Sequence, residues 1–378
     1  MTSDTDHTLA ANLSSSHGLL LLNIPDFDAP LGDAFHSIQQ ALVLVHRLTI
    51  VVSTTPPNTD GADSSNTHSN SHEGDLNAKA SAGADKKISG TQSQSPSSSS
   101  SSSSSSPFHS VQRLLSALYV CFTKLAMALN RPLAELDIVF RESCGYEIGA
   151  GTEDEVPFDV LLGMPDANME LEELNRKRLK HGQRTLPIFT LDLTPEVEMD
   201  THLVEAIDST VAYTKVQEGE YRDVALGGTF DHLHAGHKIL LSMTAWITSH
   251  RVVCGVTNDE MLKTKKFKEY MEPLDKRIET VEKFLRSFKR GLVYEVVPIH
   301  DIYGPTITDD KLQALMVSKE TLKGGAAVNA ERVNRNLAPL DIEVINVISP
   351  TETQVDEVSL KISSTFIRQY LSERDSNS

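Results

Sequence analysis

Apolar residues recur along this chain with two periods in alternation, and the alternation predicts short strands separated by amphipathic helices. Residues 18–23 (G-L-L-L-L-N) form a continuous apolar run of strand length. In 31–47 the residues Ala34, Ile38, Ala41, Leu42 and Val45 fall at helical spacing, and 48–52 is a β-branched run. The pattern then vanishes. From 53 to 107 Ser, Thr, Asn, Gly and Pro dominate, ending in an unbroken serine run over 97–106. Such a segment cannot bury enough apolar area to offset its ordering entropy, so a disordered, solvated insert is expected. Periodicity resumes at Phe108 with a helix over 111–130 stopped by Pro132. Strands follow at 136–140, 158–162 and 186–193, with a charged helix at 170–180 closed by Gly182. The first part reads as a polar N-terminus, 1–17, and a divergent α/β domain, 18–216, carrying the Ser-rich insert.

The second part, 217–378, repeats the alternation without interruption. Strands are expected at 222–226, 251–256, 292–299, 312–317 and 342–348. A helix at 235–248 carries an apolar stripe of Ile239, Leu240, Met243, Trp246 and Ile247, and another runs from Asp275 to just before Gly291. A further helix follows a loop over 318–325, and a terminal one opens at 361–368. Strands and helices joined by short links predict an open parallel sheet, which binds ligands at the carboxyl ends of its strands.

Charge separates the two parts. Of 35 Lys+Arg and 52 Asp+Glu, the stretch 222–374 holds 21 of each, leaving 14 basic and 31 acidic residues elsewhere. The excess of −17 therefore lies outside the second part and argues against nucleic-acid partners, which need a basic footprint. No apolar run reaches the roughly 18 residues of a membrane helix, and the acidic start is unlike a secretory or mitochondrial leader. A cytoplasmic location is expected, with nuclear presence left open. Cys121, Cys144 and Cys254 form neither a metal motif nor a disulfide framework; Cys254 falls in a strand and reads as a small buried hydrophobe.

The chemistry gathers after the strands of the second part. In V-A-L-G-G-T-F-D-H-L-H-A-G-H (224–237), Gly227 and Gly228 let the backbone approach a nucleotide, Thr229 and Phe230 form the turn, and His234 and His237 share one helix face. Strand, glycines and helix N-terminus suit a triphosphate, and the imidazoles suit charge stabilisation. A plain tight turn and a zinc site with Asp231 and His232 are the competing readings; no third ligand cluster supports the metal. Ser363, Ser364 and Thr365 sit where a loop becomes a helix, as phosphate ligands or as an ordinary N-cap. Arg368 adds a permanent charge one turn on. The basic loop 263–268 is either solvated or placed for a phosphorylated substrate, and Lys323 before Gly324-Gly325 falls under the same choice. The acidic domain shows no catalytic constellation.

Taken together, G-G-T-F-D-H-L-H-A-G-H, the loop holding Lys263, D-I-Y-G-P (301–305), V-S-K-E-T-L-K-G-G (317–325) and I-S-S-T-F-I-R (362–368) resemble the eukaryotic-type phosphopantetheine adenylyltransferases. H-x-G-H alone marks only the wider nucleotidyltransferase superfamily; the ordered set is far more specific. The likeness covers about residues 222–371. It implies a Rossmann-like domain transferring AMP from ATP to 4'-phosphopantetheine, with Mg2+ accompanying the ATP and no metal held by protein side chains. By motif position it makes His237, His234 and Lys263 catalytic. It places ATP against Gly227, Gly228, Thr229, Phe230, His234, His237, Gly324, Ile362, Ser363, Ser364, Thr365 and Arg368. The acceptor falls to Thr229, Lys263 (or Lys265), Tyr303 and Lys323. Association with other enzymes of coenzyme A synthesis is left open.

Two departures matter: K-G-G (323–325) stands where bacterial relatives carry R-G-x-R, and no G-x-x-x-x-G-K-[ST] loop supplies the kinase fused to animal relatives. A lipid-headgroup cytidylyltransferase would show Arg-Thr-x-Gly before its I-S-T-T signature, where E-V-S-L (357–360) stands here. A class I aminoacyl-tRNA synthetase would need a longer chain and a basic face. An inactive scaffold subunit working through the acidic first part is the remaining rival.

Overall fold

In the computed structural model the described residues are 16–54, 106–151, 155, 157–192, 216–345 and 363–377. They form two parallel five-stranded sheets. The first lobe runs β1 (His17–Asn23), α1 (Gly32–Leu44), β2 (Arg47–Ser53), α2 (Pro107–Ala128), β3 (Glu135–Phe140), β4 (Val160–Gly163), α3 (Asn168–Lys180) and β5 (Ile188–Thr190). The second runs β6 (Tyr221–Gly228), α4 (Ala235–Ile247), β7 (Thr248–Thr257), α5 (Leu274–Phe288), β8 (Val293–Ile299), β9 (Ala314–Ser318), α6 (Leu322–Asn334), β10 (Asp341–Ile345) and α7 (Ser364–Ser376). The Ser-rich insert, apart from its first and last two residues, lies outside the described residues.

Most predicted elements fall where the periodicity puts them. Helix α2 opens at Pro107, four residues early, because proline has no N–H to lose in a first turn. Strand β5 is shorter than the predicted 186–193. The backbone of Leu186 is taken by the Asn175 side chain through two 2.8 Å hydrogen bonds, and Pro187 has no N–H for a ladder. The expected loop over 318–325 is a correction: Lys323, Gly324 and Gly325 belong to the first turn of α6. A capping box between Ser318 and Thr321 starts a 3-10 turn that runs straight into the helix. Gly325 is buried there, where a Cβ would stand 3.3 Å from Ile342.

The two sheets share one topology. Their strand orders are β3-β2-β1-β4-β5 and β10-β9-β6-β7-β8, so each lobe's first strand is central, with its second and third to one side and its fourth and fifth to the other. A local device repeats as well. Asn329 makes two 2.8 Å bonds to the Leu340 backbone, as Asn175 does to Leu186, both eleven residues on. Three residues after each Asn, a buried arginine reaches carbonyls of its own lobe: Arg178 to Arg184 and Gly149, Arg332 to Ala338 and Thr306. Four further on, Gly182 (φ 73°) and Asn336 (φ 60°) turn left-handed to end the helix.

One hydrophobic core spans both lobes. At the seam the Phe108 and Trp246 rings lie 6.4 Å apart and Phe140 meets Phe288 edge-on at 6.0 Å. The Tyr146 hydroxyl donates to the Ser287 carbonyl at 2.6 Å, and the Arg290 guanidinium lies 3.9 Å over the Tyr146 ring. The three cysteines are free and buried, Cys254 within β7 as its sequence position implied. Among the described residues no helix is long and apolar enough to cross a membrane.

Candidate active site

Strand β6 extends two residues past its predicted end, so Gly227 and Gly228 are still paired, with Gly255 and Val256 of β7. A Cβ on Gly228 would meet the Phe230 ring at 3.1 Å, which is why the turn needs glycine there. The turn itself is strained: Phe230 (φ 50°) and His232 (φ 46°) occupy the left-handed region, at a cost of about 1–3 kcal/mol each. Such strain persists only where the surroundings over-determine it. Here a buried arginine does so. Arg277, fully buried, donates to the carbonyls of Thr229 (2.8 Å), Thr257 (2.9 Å) and Glu272 (3.0 Å) and pairs with Asp259. Glu272 accepts from the His232 N–H at 2.8 Å and gives its own N–H to Asp231 at 2.9 Å.

The two histidines follow at the mouth of α4. His234 is its N-cap and His237 lies in its first turn. Their rings stack, with centroids 3.8 Å apart at 24°, and Phe230 backs His237 at 5.3 Å. Burial lowers both imidazoles: His234 to about 4, assisted by the Lys238 and His232 charges, and His237 well below its ordinary value, assisted by His234. Both are therefore neutral at pH 7, each able to donate one N–H but carrying no charge. Among the described residues no group of three or more His, Cys, Asp or Glu side chains could hold a metal ion.

The structure draws three motifs to one edge. Asp231, fully buried, is ion-paired with Arg368 of α7, itself 2% exposed. Arg368 also donates to the Lys266 carbonyl at 3.0 Å and to the Thr365 hydroxyl at 3.2 Å. The turn, the basic loop and the terminal helix thus meet through one guanidinium. Arg368, which the motif sets against the β- and γ-phosphates, uses three of its five N–H groups inside the protein. Ser363 is the α7 N-cap, accepting from the Phe366 N–H at 3.3 Å, with Ser364 and Thr365 in the first turn. Ile362 lies outside the described residues. Lys263 and Lys265 stand exposed on the loop after β7, and Lys323 and Gly324 are exposed in the first turn of α6. Tyr303 is half-buried, packed against the cluster of Ala225, Val253 and Leu315.

Periodicity alone missed Arg277, Asp231 and Lys238 as determinants. A signal existed for the first: Arg277 occupies the stripe of Val281, Phe284, Leu285 and Phe288, an apolar face where a charge needs a partner. Asp231 and Lys238 gave none, since neither F-D-H (230–232) nor H-K-I (237–239) states which partner the charge takes.

Comparison with known proteins agrees with this arrangement. The Cytidylyltransferase-like family matches residues 225–370, which include the end of β6, both histidines and the start of α7. A phosphopantetheine adenylyltransferase of Saccharomyces cerevisiae is 35% identical over 256 residues, 63% of this chain and 83% of that protein. That span exceeds the length of the second lobe and so reaches into the first, beyond the stretch in which the motifs are recognisable. An uncharacterised Schizosaccharomyces pombe protein is 49% identical over 151 residues, covering 39% of this chain and 48% of that one. The phosphopantetheine adenylyltransferase of Pyrococcus furiosus is 41% identical over 149 residues, 39% of this chain and 88% of that enzyme. The glycine turn, the stacked histidines and these likenesses converge: the chain belongs to the phosphopantetheine adenylyltransferase family and is a nucleotidyltransferase.

Proposed function

We propose that the protein transfers the adenylyl group of ATP to 4'-phosphopantetheine, forming dephospho-coenzyme A and pyrophosphate. An oxygen of the acceptor phosphate attacks the α-phosphorus, the bond to the bridging oxygen of pyrophosphate breaks, and pyrophosphate leaves opposite the nucleophile. A phosphate dianion is already nucleophilic, so no protein base is required. Catalysis is then positioning and charge stabilisation. The observation that carries this reading is the neutral, stacked His234/His237 pair beside a glycine turn held rigid by Arg277. His237 would donate its one N–H to an α-phosphate oxygen as charge develops there, and His234 would donate to the triphosphate.

Gly227, Gly228, Thr229 and Phe230 would line the nucleotide and the acceptor's reactive end. The first-turn N–H groups of α7 at Ser364 and Thr365, with Ser363 and Ile362 before them, would meet the β- and γ-phosphates. Lys263, or Lys265 on the same loop, would hold the acceptor phosphate, with Tyr303 and Lys323 lining the acceptor and Gly324 the nucleotide. Mg2+ would accompany the ATP phosphates.

Pyrophosphate release measured with ATP or CTP against 4'-phosphopantetheine tests the proposal. Release with ATP is expected. No release with ATP overturns it, and preference for CTP converts the reading to cytidylyl transfer, the activity named by the wider family.

A further inference from the structure

Lys238 follows His237 directly, and its side chain reaches across to the first lobe. It is 8% exposed. Its ammonium donates to the Leu136 carbonyl at 2.7 Å and to the Asp137 carboxylate at 2.8 Å, both on β3 of the other lobe. Asp137, equally buried, also accepts from Arg47 of β2 at 2.9 Å. Burial alone would raise the Asp137 carboxyl, yet Lys238 and Arg47 hold it down to about 2, so the charge is permanent at working pH. Arg47 keeps a second partner, Glu135, at 3.4 Å. Two cations therefore converge on one carboxylate, and only one of them belongs to the histidine helix.

The placement is more specific than stability requires. An apolar pair of similar volume would seal the seam as well or better, whereas a hydrogen-bonded ion pair fixes direction. The direction fixed is that of the first turn of α4. The Lys238 N–H closes that turn on the His234 carbonyl at 3.0 Å, so Lys238 sits four residues from one imidazole and one residue from the other. Rotation of the turn about its axis would carry both rings with it.

Among the described residues, the first lobe places no imidazole at the equivalent helix start. Counted from the N-cap of the equivalent helix, α1, the positions of His234 and His237 are held by Leu31 and Ala34, both buried in the core. We propose that Asp137 is a positioning residue: through Lys238 it sets the rotation of α4 and hence of the His234/His237 pair, which makes the first lobe a working part of the second lobe's site. The inference rests on the adenylyl-transfer reading for the meaning of turnover, though not for the orientation of the imidazoles.

The test uses the full chain with three variants. In Asp137→Asn, kcat is expected to fall at least about tenfold while KM for ATP changes less than about threefold, because a misaimed transition-state donor costs rate more than binding. The imidazole NMR signals of His234 and His237 should move with it. In Asp137→Asn/Lys238→Met, removal of the unpaired buried ammonium should return the melting temperature toward wild type while kcat stays low and the signals stay displaced. Arg47→Met touches the same carboxylate but not α4, so it should lower the melting temperature and leave kcat within about twofold. Wild-type kcat and imidazole signals in the double variant, or an equal loss of kcat in Arg47→Met, overturn the proposal. Should the unmodified protein release no pyrophosphate, the adenylyl-transfer reading fails by itself, and the imidazole signals still decide the role of Asp137.

Discussion

The two lobes carry the same strand order, the same Asn-to-Leu clamp and the same buried arginine, yet among the described residues only the second sets histidines at its first helix's N-cap and three residues on. The difference lies in a single turn. After β1 the chain places Leu31 at the helix N-cap and Ala34 three residues later, and both collapse into the core. After β6 the same positions hold His234 and His237, and Phe230 takes the buried place at a strained φ of 50°. A fold is thus shared at no commitment to function, which resides in the side chains that its strand ends present. The first lobe has spent its turn on packing. The second has accepted strain there and restrained it with Arg277 and with the Asp231–Arg368 pair.

The largest effect should come from breaking that restraint. Arg368→Met leaves Asp231 buried without its partner, and removal of one member of a buried pair costs about 3–5 kcal/mol. Urea unfolding measures it; a loss under about 1 kcal/mol would show that the pair does not lock the turn. A first-lobe pair, Asp28 in the loop after β1 with Arg113, is more than a third exposed on both sides, so Arg113→Met should cost no more than about 1 kcal/mol. Next comes His237→Ala. It should lower turnover at least about tenfold with the melting curve of a folded protein, the effect of losing a transition-state donor. Unchanged turnover would remove His237 from its assigned role.

A sharper comparison sets the two clamps side by side. Asn175→Ala and Asn329→Ala each strip partners from a backbone N–H and carbonyl, of Leu186 and Leu340 respectively. Each should cost roughly 1–3 kcal/mol in urea unfolding. If the lobes are built alike, the two losses agree within about 1 kcal/mol; a neutral Asn175→Ala would mean that the first lobe no longer depends on the device.

How far this was readable in the sequence follows from what periodicity encodes. It reports the type and order of elements, and most strands and helices lie where the apolar pattern put them. The motif residues were readable as candidates, because Gly227, Gly228, His234 and His237 are chemically unusual at the end of an apolar run. Pairing was not readable. Nothing in the spacing of Leu19 to Leu22 or Val224 to Leu226 states which strands flank them, so the identity of the two strand orders emerged only with the fold. Charged residues were the least readable. Neither the Asp231 partner of Arg368 nor the Lys238 partner of Asp137 is written in the spacing. A charge reveals its partner only when both are placed. The K-G-G stretch was misplaced because glycines suggest a loop, while the capping box before them nucleates a helix.

The smallest effect separates the histidines of the two lobes by pH. His17 of β1 is buried; its Nδ1 lies 3.0 Å from the Pro157 carbonyl, which can only accept, so that nitrogen carries the proton and Nε2 accepts from the Thr49 hydroxyl at 2.8 Å. The neutral ring satisfies both contacts. Burial first, and then the Arg47 charge, lower His17 to about 4, the value to which burial also brings His234. Both therefore bind a proton more readily unfolded, at an ordinary value of 6.5, than folded. Their contribution to stability is complete above pH 6.5 and is lost as the pH falls from 6.5 toward 4. His17→Gln keeps a donor and an acceptor without a titrating proton, so it should flatten the stability–pH slope in that window by up to about 1.4 kcal/mol per pH unit, one proton's worth. Turnover at pH 7 should stay within about twofold of the unmodified chain. His234→Gln should flatten the same window and lower turnover as well. If His17→Gln lowers turnover as far as His234→Gln does, the first lobe's histidine is tied to the reaction, and the division between a lobe that packs and a lobe that reacts no longer holds.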